Sequence, residues 1–355
     1  MKRSVRSIQA AGTRRTARTA ARTAVAVLAL SPLALVQACG GGGQDGDPGD
    51  GQGSDQVAAV IKGLDNPFFQ TMRDGIQEQA EADGLTAEIQ AAQDITDTTG
   101  QAERLSALSQ QDFGCFIVNP ISGNNLVQGL APVSAQDIPV VNIDQPVDAD
   151  AAAAAEVDIA TYVGTDNVDA GRLGGEHMVD VLDGEGTVAI IGGIAGDQTS
   201  NDRIAGFTEA AEGDLDLLPV VAADWDRQEA LTRATDLLNA NPDLAGFFAA
   251  NDDMGLGIAR AVANAGKTGE VKVISVDGNP EALDAVEAGD LEATVAQYPY
   301  TVGQLGVQAC EALMNGEDVP ETVVSPVAVV SADVAGEAKE AFPAPFEDFD
   351  NPFGS

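Results

Sequence analysis

The sequence predicts an α/β protein of two lobes, each built on a doubly wound parallel sheet. Short β-branched runs alternate with amphipathic helical stretches about every 25 to 30 residues, the spacing typical of βα units on parallel sheets. Eleven such runs exceed one comfortable open sheet, and an alanine-rich stretch at 149–159 lies near the middle of the chain. These observations favour two lobes over one.

Each predicted strand is a short apolar run followed by polar or turn residues. The strands are Val57–Ile61, Thr86–Ile89, Cys115–Val118, Pro139–Ile143, Thr161–Val163, Thr187–Ile191, Leu217–Val221, Gly246–Ala249, Val271–Val276, Ala293–Ala296 and Val323–Val330. Between the first two, apolar side chains recur every three or four residues from Phe69 to Ala80. This period predicts a helix over Pro67–Ala82, with Asn66 as its N-cap.

The charge balance disfavours nucleic acid as a partner. The chain has 355 residues, with 18 Lys and Arg against 56 Asp and Glu. Seven of the basic residues lie in positions 1–38, so the remainder carries 11 − 56 = −45 charges. A surface of that sign repels phosphate backbones and anionic membranes.

The N-terminal segment has the pattern of a bacterial lipoprotein signal peptide, predicted at 1–38. A basic start precedes the apolar run 23–36, and small residues lead to Cys39. Cys39 would carry the lipid, and 39–55, rich in Gly, Asp and Ser, would be a flexible linker. An ordinary secretory signal with a chance cysteine is the alternative, and Arg14-Arg15 leaves Sec or Tat export open.

The remaining cysteines and the single histidine offer no material for a metal centre or a His-based triad. Cys115 and Cys310 lack a Cys-x-x-Cys spacing, and a disulfide between them and two separate buried thiols are both open. No glycine-rich phosphate loop follows a predicted strand, so we expect no cofactor and no metal.

Polar residues follow the predicted strands with unusual consistency, where open α/β sheets bind ligands. These residues are Asp65, Asn66, Asp144, Asp224, Trp225, Asn251, Asp252, Asp277 and Gln297. Carboxylates and amides suit vicinal hydroxyls, and aromatic faces suit C–H surfaces. Phe68 and Phe69 lie about 100° apart on one helix, so we expect one of them to face the cleft.

Seven motifs, in order, resemble periplasmic-type sugar-binding proteins of the ribose-binding group, the solute receptors of ABC importers. They are Asp65-Asn66-Pro67-Phe68-Phe69, Asn142-Ile143-Asp144, Asn201-Asp202-Arg203-Ile204-Ala205-Gly206-Phe207, Ala223-Asp224-Trp225-Asp226-Arg227, Asn251-Asp252-Asp253-Met254-Gly255-Leu256-Gly257, Val276-Asp277-Gly278 and Ala296-Gln297. The resemblance runs from about Gln56 to Val330 and implies the type I fold of that family.

The resemblance also implies the ligand-binding residues. They are Asn66, Phe68, Phe69, Asp144 and Gln145 from one lobe and Arg203, Trp225, Asn251 and Asp277 from the other, with Gln297 at the hinge. Gln145 departs from the family pattern, because ribose receptors carry arginine directly after this aspartate. An uncharged amide there disfavours ribose itself and leaves another pentose, a hexose or a polyol.

The same resemblance predicts how the chain divides between the lobes. The N-terminal lobe would hold 56–165 and 298–326, the C-terminal lobe 166–297 and 327–345, with crossings near Thr165, Gln297 and Pro326. Residues 346–355 read as a solvated acidic tail, in which the Asn-Pro-Phe at 351–353 repeats the Asn66 motif by chance.

The predicted function is the extracytoplasmic substrate-binding component of an ABC importer. The protein would be a lipid-anchored monomer that closes on one monosaccharide or polyol and docks on permease subunits. A sugar-sensing co-receptor for a membrane kinase or chemoreceptor would use the same cleft. An enzyme with Asp144 and Asp277 as paired carboxylates is disfavoured, because no nucleophile and base are recognisable.

Overall fold

The computed structural model describes residues 54–354, so the predicted signal peptide and Cys39 lie outside the described residues. Its strands are β1 (Gln56–Ile61), β2 (Thr86–Ala91), β3 (Cys115–Val118), β4 (Val140–Ile143), β5 (Thr161–Thr165), β6 (Thr187–Gly192), β7 (Asp216–Leu217), β8 (Val221–Ala222), β9 (Leu244–Ala249), β10 (Lys272–Asp277), β11 (Ala293–Ala296), β12 (Thr322–Ser325) and β13 (Ala328–Ser331).

Helices separate most of these strands. They are α1 (Pro67–Ala82), α2 (Thr98–Leu108), α3 (Val127–Ser134), α4 (Ala149–Ala154), α5 (Asn167–Val181), α6 (Gln198–Ala211), α7 (Arg227–Ala240), α8 (Asp252–Asn264), α9 (Pro280–Ala288), α10 (Pro299–Met314) and α11 (Ala335–Ala341). The predicted helix Pro67–Ala82 is confirmed. Asn66 caps it by accepting a hydrogen bond from the Phe68 N–H at 2.9 Å.

The strands form two separate sheets. The first sheet has the order β12-β5-β4-β3-β1-β2 and is parallel throughout. The second has the order β13-β11-β10-β9-β6-β7, with β8 also paired to β6. Its edge strand β13 runs antiparallel to β11, a departure from the predicted all-parallel sheets. We call the first sheet with α1–α4 and α10 the first lobe, and the second sheet with α5–α9 and α11 the second lobe.

Both sheets are covered on both faces, as parallel sheets require. In β1, Val57, Ala59 and Ile61 belong to one core cluster, whereas Ala58 and Val60 belong to another on the opposite face. Two further clusters cover the second sheet in the same way.

Two predicted strands are each divided in the structure, and proline explains both. Val323–Val330 is wrong as a single strand, since β12 pairs in the first sheet and β13 in the second, with Pro326 between them. Leu217–Val221 becomes β7 and β8 on either side of Pro219. Proline has no N–H to donate to a neighbouring strand, so the ladder of hydrogen bonds breaks there. The apolar pattern of each run does not show this break. From these sheet memberships we propose lobe crossings near Thr165, Gln297 and Pro326.

Cys115 and Cys310 form a disulfide, which decides between the two alternatives left open by the sequence. Their Cα atoms are 5.7 Å apart, and 195 residues separate them in the sequence. The bridge joins β3 to α10 inside the first lobe, although the chain between them passes through the second lobe.

The C-terminal tail is not the simple solvated extension that its acidic sequence predicts. Phe346 packs against the core of the second lobe, whereas Phe349 and Phe353 pack against that of the first. Asn351 accepts a hydrogen bond from the Phe353 N–H at 2.9 Å, the same local geometry as at Asn66. The acidic side chains of this tail are exposed, whereas its aromatic side chains are half-buried against apolar surface on both lobes.

Candidate ligand-binding site

One cleft collects nine of the ten predicted ligand-binding residues. Its volume is about 590 Å3, including the space that is open to solvent. From the first lobe it is lined by Asn66, Phe68, Phe69, Asp144 and Gln145, and from the second by Arg203, Trp225, Asn251 and Asp277. These residues come together because they follow the carboxyl ends of strands in two sheets that face each other.

Phe68 and Phe69 form the aromatic part of the first-lobe wall. Their ring centroids are 5.2 Å apart and the rings meet edge to face at 78°. Both side chains are buried and both line the cleft, so the cleft wall includes more than the one ring that the helix geometry predicted to face it. The start of α1 lies in the cleft wall, and there even the side of the helix that faces the core borders the cavity.

Asp144 is the carboxylate of the first-lobe wall, and Lys62 pairs with it. The Lys62 Nζ lies 3.2 Å from Asp144 Oδ2 and 5.2 Å from the centroid of the Phe69 ring. The Tyr162 hydroxyl donates to the Asp144 carbonyl at 2.6 Å. Burial, with the nearby Asp144 carboxylate, raises the pKa of Tyr162, so its hydroxyl remains a donor.

Asn142 holds the loop that carries Asp144 and Gln145. Its Nδ2 donates to the Val118 carbonyl at 3.1 Å and to the Gln145 carbonyl at 2.9 Å. Its Oδ1 accepts from the Val147 N–H at 2.8 Å. A buried amide with both ends satisfied fixes the path of the backbone after β4.

The second-lobe wall contains a buried ionic network centred on Arg203 and Asp277. The Arg203 Nη1 donates to Asp277 Oδ1 at 3.1 Å and to the Ala250 carbonyl at 2.6 Å, and its Nε donates to Asn167 Oδ1 at 2.9 Å. Burial raises the pKa of the Asp277 carboxyl, and the Arg203 guanidinium opposes this rise. The network presents a carboxylate and a guanidinium side by side at the cleft surface.

Gln297 does not line the cleft. It is buried behind Asp277, and its Nε2 donates to Asp277 Oδ1 at 2.8 Å. Gln297 thus orients the carboxylate, while its role at the hinge stays a prediction. Gln297 and Asp277 both follow predicted strands in the sequence. Sequence order alone does not show which of two such residues lines the cleft and which lies behind the other.

Trp225 supplies the aromatic face of the second lobe. The guanidinium carbon of Arg203 lies 5.9 Å from the ring centroid. The indole packs on Gly193, where an added Cβ would come within 2.2 Å of the ring. Gly193 therefore makes room for Trp225, a role that no phosphate-loop pattern would reveal.

Three cleft residues have left-handed backbone conformations that residues other than glycine rarely adopt. The φ angles are 59° at Asp144, 63° at Trp225 and 141° at Asp277. Conformations of this kind cost about 1–3 kcal/mol each and concentrate at binding sites. Here they turn each side chain from the end of its strand into the cleft.

Asp252, another strand-end carboxylate, lies behind the second-lobe wall. It accepts hydrogen bonds from the Ser275 hydroxyl at 2.6 Å, the Thr294 hydroxyl at 2.7 Å and the Asn279 N–H at 2.7 Å. Burial raises the pKa of this carboxyl, and the three donors lower it. Asp252 supports the loop after β10 and does not line the main cavity.

Six residues that line the cleft were not predicted from the sequence: Lys62, Ile95, Ile121, Ile194, Asp197 and Thr199. Lys62 directly follows β1, so the strand-end rule that selected Asp65 could have found it. Thr199 has no such signal, because it lies on α6 beyond a loop. Its hydroxyl donates to Gln145 Oε1 across the cleft at 2.9 Å.

The two sheets and the cleft that is lined from both lobes agree with a known family of proteins. The family described as periplasmic binding protein domain matches residues 57–318. The chain belongs to the periplasmic binding protein family. The D-allose-binding periplasmic protein of Escherichia coli is 39% identical over 269 residues, covering 75% of this chain and 86% of that protein. The ribose import binding protein of Bacillus subtilis is 31% identical over 271 residues, covering 76% and 85%.

Solved structures extend the similarity to the fold of this periplasmic binding protein. An ABC transporter solute-binding protein from Actinobacillus succinogenes, with bound D-allose, has a TM-score of 0.75 and 29% identity. The alignment covers 79% of this chain and 99% of that one. The predicted two-lobed fold, the resemblance to the ribose-binding group and the role as a solute-binding component are confirmed. Membership of this family also implies a location outside the cytoplasm.

Two features are absent from residues 54–354. In this range no helix has the length and apolar character needed to cross a membrane. The same residues contain no group of three or more His, Cys, Asp or Glu side chains arranged for a metal ion.

Proposed function

We propose that the cleft binds one neutral monosaccharide, a pentose or hexose, or a polyol, and that the closed protein delivers it to the permease of an ABC importer. The observation that carries this proposal is the pairing of four of the five charged side chains that line the cleft, the fifth being Asp197, which caps α6. Lys62 pairs with Asp144, and Arg203 pairs with Asp277. A neutral ligand adds no unpaired charge to this balance, and its hydroxyls bond to both members of each pair.

The aromatic rings support the same proposal. Phe68 and Phe69 on one wall and Trp225 on the other supply apolar faces for the C–H surfaces of a sugar ring. Asn66, Gln145 and Asn251 add amides that both donate and accept. Relatives named for D-allose and ribose favour an aldose of five or six carbons. Gln145, where ribose receptors carry arginine, disfavours ribose itself and leaves another pentose, a hexose or a polyol.

Calorimetric titration with D-allose, D-ribose, D-glucose, xylitol and D-glucuronate tests the proposal. We expect micromolar or tighter binding of at least one neutral sugar or polyol, about −8 kcal/mol or better. Glucuronate matches glucose in shape but adds a carboxylate, and we expect it to bind at least ten-fold more weakly than glucose. Failure of all four neutral ligands to bind would refute the proposal.

We further propose that a lipid on Cys39 holds the protein at the membrane. The apolar run and small residues before Cys39 support this. In cells, Cys39→Ala should move the protein from the membrane fraction to the soluble fraction, whereas Cys310→Ala should not. Equal membrane fractions of Cys39→Ala and the parent protein would exclude the anchor.

A further inference from the structure

Gln145 and Thr199 form a direct contact between the two lobes. Gln145 follows β4 in the first lobe and is 3% exposed. Thr199 lies at the start of α6 in the second lobe, and its Oγ1 donates to Gln145 Oε1 at 2.9 Å. Among residues 54–354 this is the one side-chain hydrogen bond that crosses the cleft away from the hinge.

Each end of this bond is held firmly by its own lobe. The Gln145 backbone is fixed by Asn142, as described above. On the other side, the Asp197 carboxylate caps α6 by accepting from the Ser200 N–H at 3.0 Å. The Ser200 hydroxyl in turn accepts from the Gly193 N–H at 2.9 Å. Each of the two residues is fixed within its own lobe. The hydrogen bond between them therefore depends on the distance between the lobes.

The amide chemistry of Gln145 suits two tasks at once. An amide carries one acceptor and one donor group, so a bond to Thr199 leaves the other group for the cleft. Both Gln145 and Thr199 line the cavity that holds the candidate ligand-binding residues. An arginine at the Gln145 position would have no acceptor for the Thr199 hydroxyl proton.

We propose that Thr199 is a closure-determining residue, whose hydrogen bond to Gln145 forms only when the lobes are closed and slows their reopening. The inference rests on the proposed binding of a sugar between the lobes. A bond present in the closed state and absent in the open one shifts the population toward closure. Thr199 then increases affinity by retaining bound ligand, without itself setting the association rate.

The experiment compares Thr199→Val with Thr199→Ser in the full chain carrying Cys39→Ala. Valine keeps the shape of threonine but has no hydroxyl, whereas serine keeps the hydroxyl. Stopped-flow fluorescence of Trp225 would follow association and dissociation of D-allose and D-ribose. Small-angle scattering would give the radius of gyration with and without sugar.

For Thr199→Val we expect the dissociation rate to rise about five-fold, the equivalent of one hydrogen bond, with an association rate within about two-fold of the parent protein. Without sugar, its radius of gyration should be larger than that of the parent. Thr199→Ser should restore parental dissociation. The circular dichroism spectrum without sugar should be the same in all three proteins, which shows that the substitutions leave the fold intact.

The outcomes separate this inference from the proposed function. Sugar binding with the same dissociation rate in Thr199→Val and in the parent protein would overturn the inference alone. Failure of the parent protein to bind any neutral sugar or polyol would overturn the proposed function. In that case, the scattering without sugar decides the inference, and an unchanged radius of gyration in Thr199→Val refutes it.

Discussion

In the first lobe, the charged pair of the cleft remains in contact with water, whereas in the second it is buried. Lys62 and Asp144 keep 13% and 14% of their side-chain surface exposed, and Arg203 and Asp277 keep 5% and 7%. A buried pair loses its hydration when the protein folds, and removing one member leaves an uncompensated charge inside. The second-lobe wall is thus organised when the protein folds, while the first-lobe pair keeps some hydration that a ligand can displace.

The lobes also differ in their covalent support. The Cys115–Cys310 bridge joins a strand and a helix of the first lobe. The second lobe, over the described residues, relies on packing and on the polar network behind its wall. Changes to the network and to the disulfide should therefore affect different properties of the molecule.

The largest expected effect is that of Arg203→Met. It leaves Asp277 buried without its cation, so we expect a loss of about 3–5 kcal/mol in the free energy of unfolding, together with loss of sugar binding. Urea denaturation and calorimetric titration measure the two effects. Lys62→Met removes the corresponding cation of the first lobe and should cost less than half as much stability.

Arg233→Met is the matched control in the second lobe. Arg233 pairs with Glu229 one helical turn away, with 47% and 39% of their side chains exposed. Its removal should cost less than about 0.5 kcal/mol. Equal losses from Arg203→Met and Lys62→Met would contradict the distinction between the lobes.

Next in size is the removal of the disulfide by Cys115→Ala with Cys310→Ala. We expect a loss of about 2–5 kcal/mol, because the bridge closes a long loop in the unfolded chain. Sugar affinity of the folded protein should remain within about three-fold, less than about 1 kcal/mol, since neither cysteine lines the cleft. Circular dichroism and the fluorescence of Trp225, the single tryptophan, follow the unfolding. An unchanged midpoint would show that the bridge adds nothing to stability.

A smaller effect concerns pH and the buried carboxyl of Asp252. Burial raises its pKa in the folded state, so between about pH 4, the ordinary value of an unfolded aspartate, and the raised value the folded state binds more protons. The contribution of Asp252 to stability therefore falls as pH rises through this window. Asp252→Asn should flatten that part of the stability profile.

The asparagine can keep the hydrogen bonds of Asp252 at neutral pH. Its Oδ1 would accept from the Asn279 N–H, and its Nδ2 would donate to the Ser275 and Thr294 hydroxyls, which also accept. Urea denaturation from pH 4 to 8 measures the slope. As a control, Asp236→Asn, on the exposed side of α7, should leave the slope as it is. A steeper fall in Asp252→Asn than in the parent protein would reverse the assigned sign.

The smallest effect is expected in the tail that contacts both lobes. Phe349→Ala with Phe353→Ala removes half-buried rings from the first-lobe core, and we expect a loss of about 1–2 kcal/mol. Thermal denaturation measures it. The exposed carboxylates of the same tail offer a control, and Asp348→Ala with Asp350→Ala should change the melting temperature by less than about one degree. Equal effects of the two pairs of substitutions would contradict a stabilising contribution from the packed phenylalanines.

Much of the fold was predictable because it depends on local signals. The period of apolar residues and the Asn66-Pro67 start specify α1, and short apolar runs mark most strands. The prediction of a single strand at 323–330 was wrong, because the apolar pattern is the same whether the run pairs in one sheet or in two. Pro326 was the visible signal that the ladder breaks there.

The candidate site was predictable to the extent that ligands bind at the ends of parallel strands. That rule selected Asn66 and Asp277 as strand-end residues, and the resemblance to the ribose-binding group implied that they share a cleft. Only the tertiary structure decided the Cys115–Cys310 pairing, the place of Gln297 behind Asp277 and the contact between Thr199 and Gln145. Sequence patterns record the period and the polarity of each element, whereas these contacts depend on how separately folded elements approach one another in space.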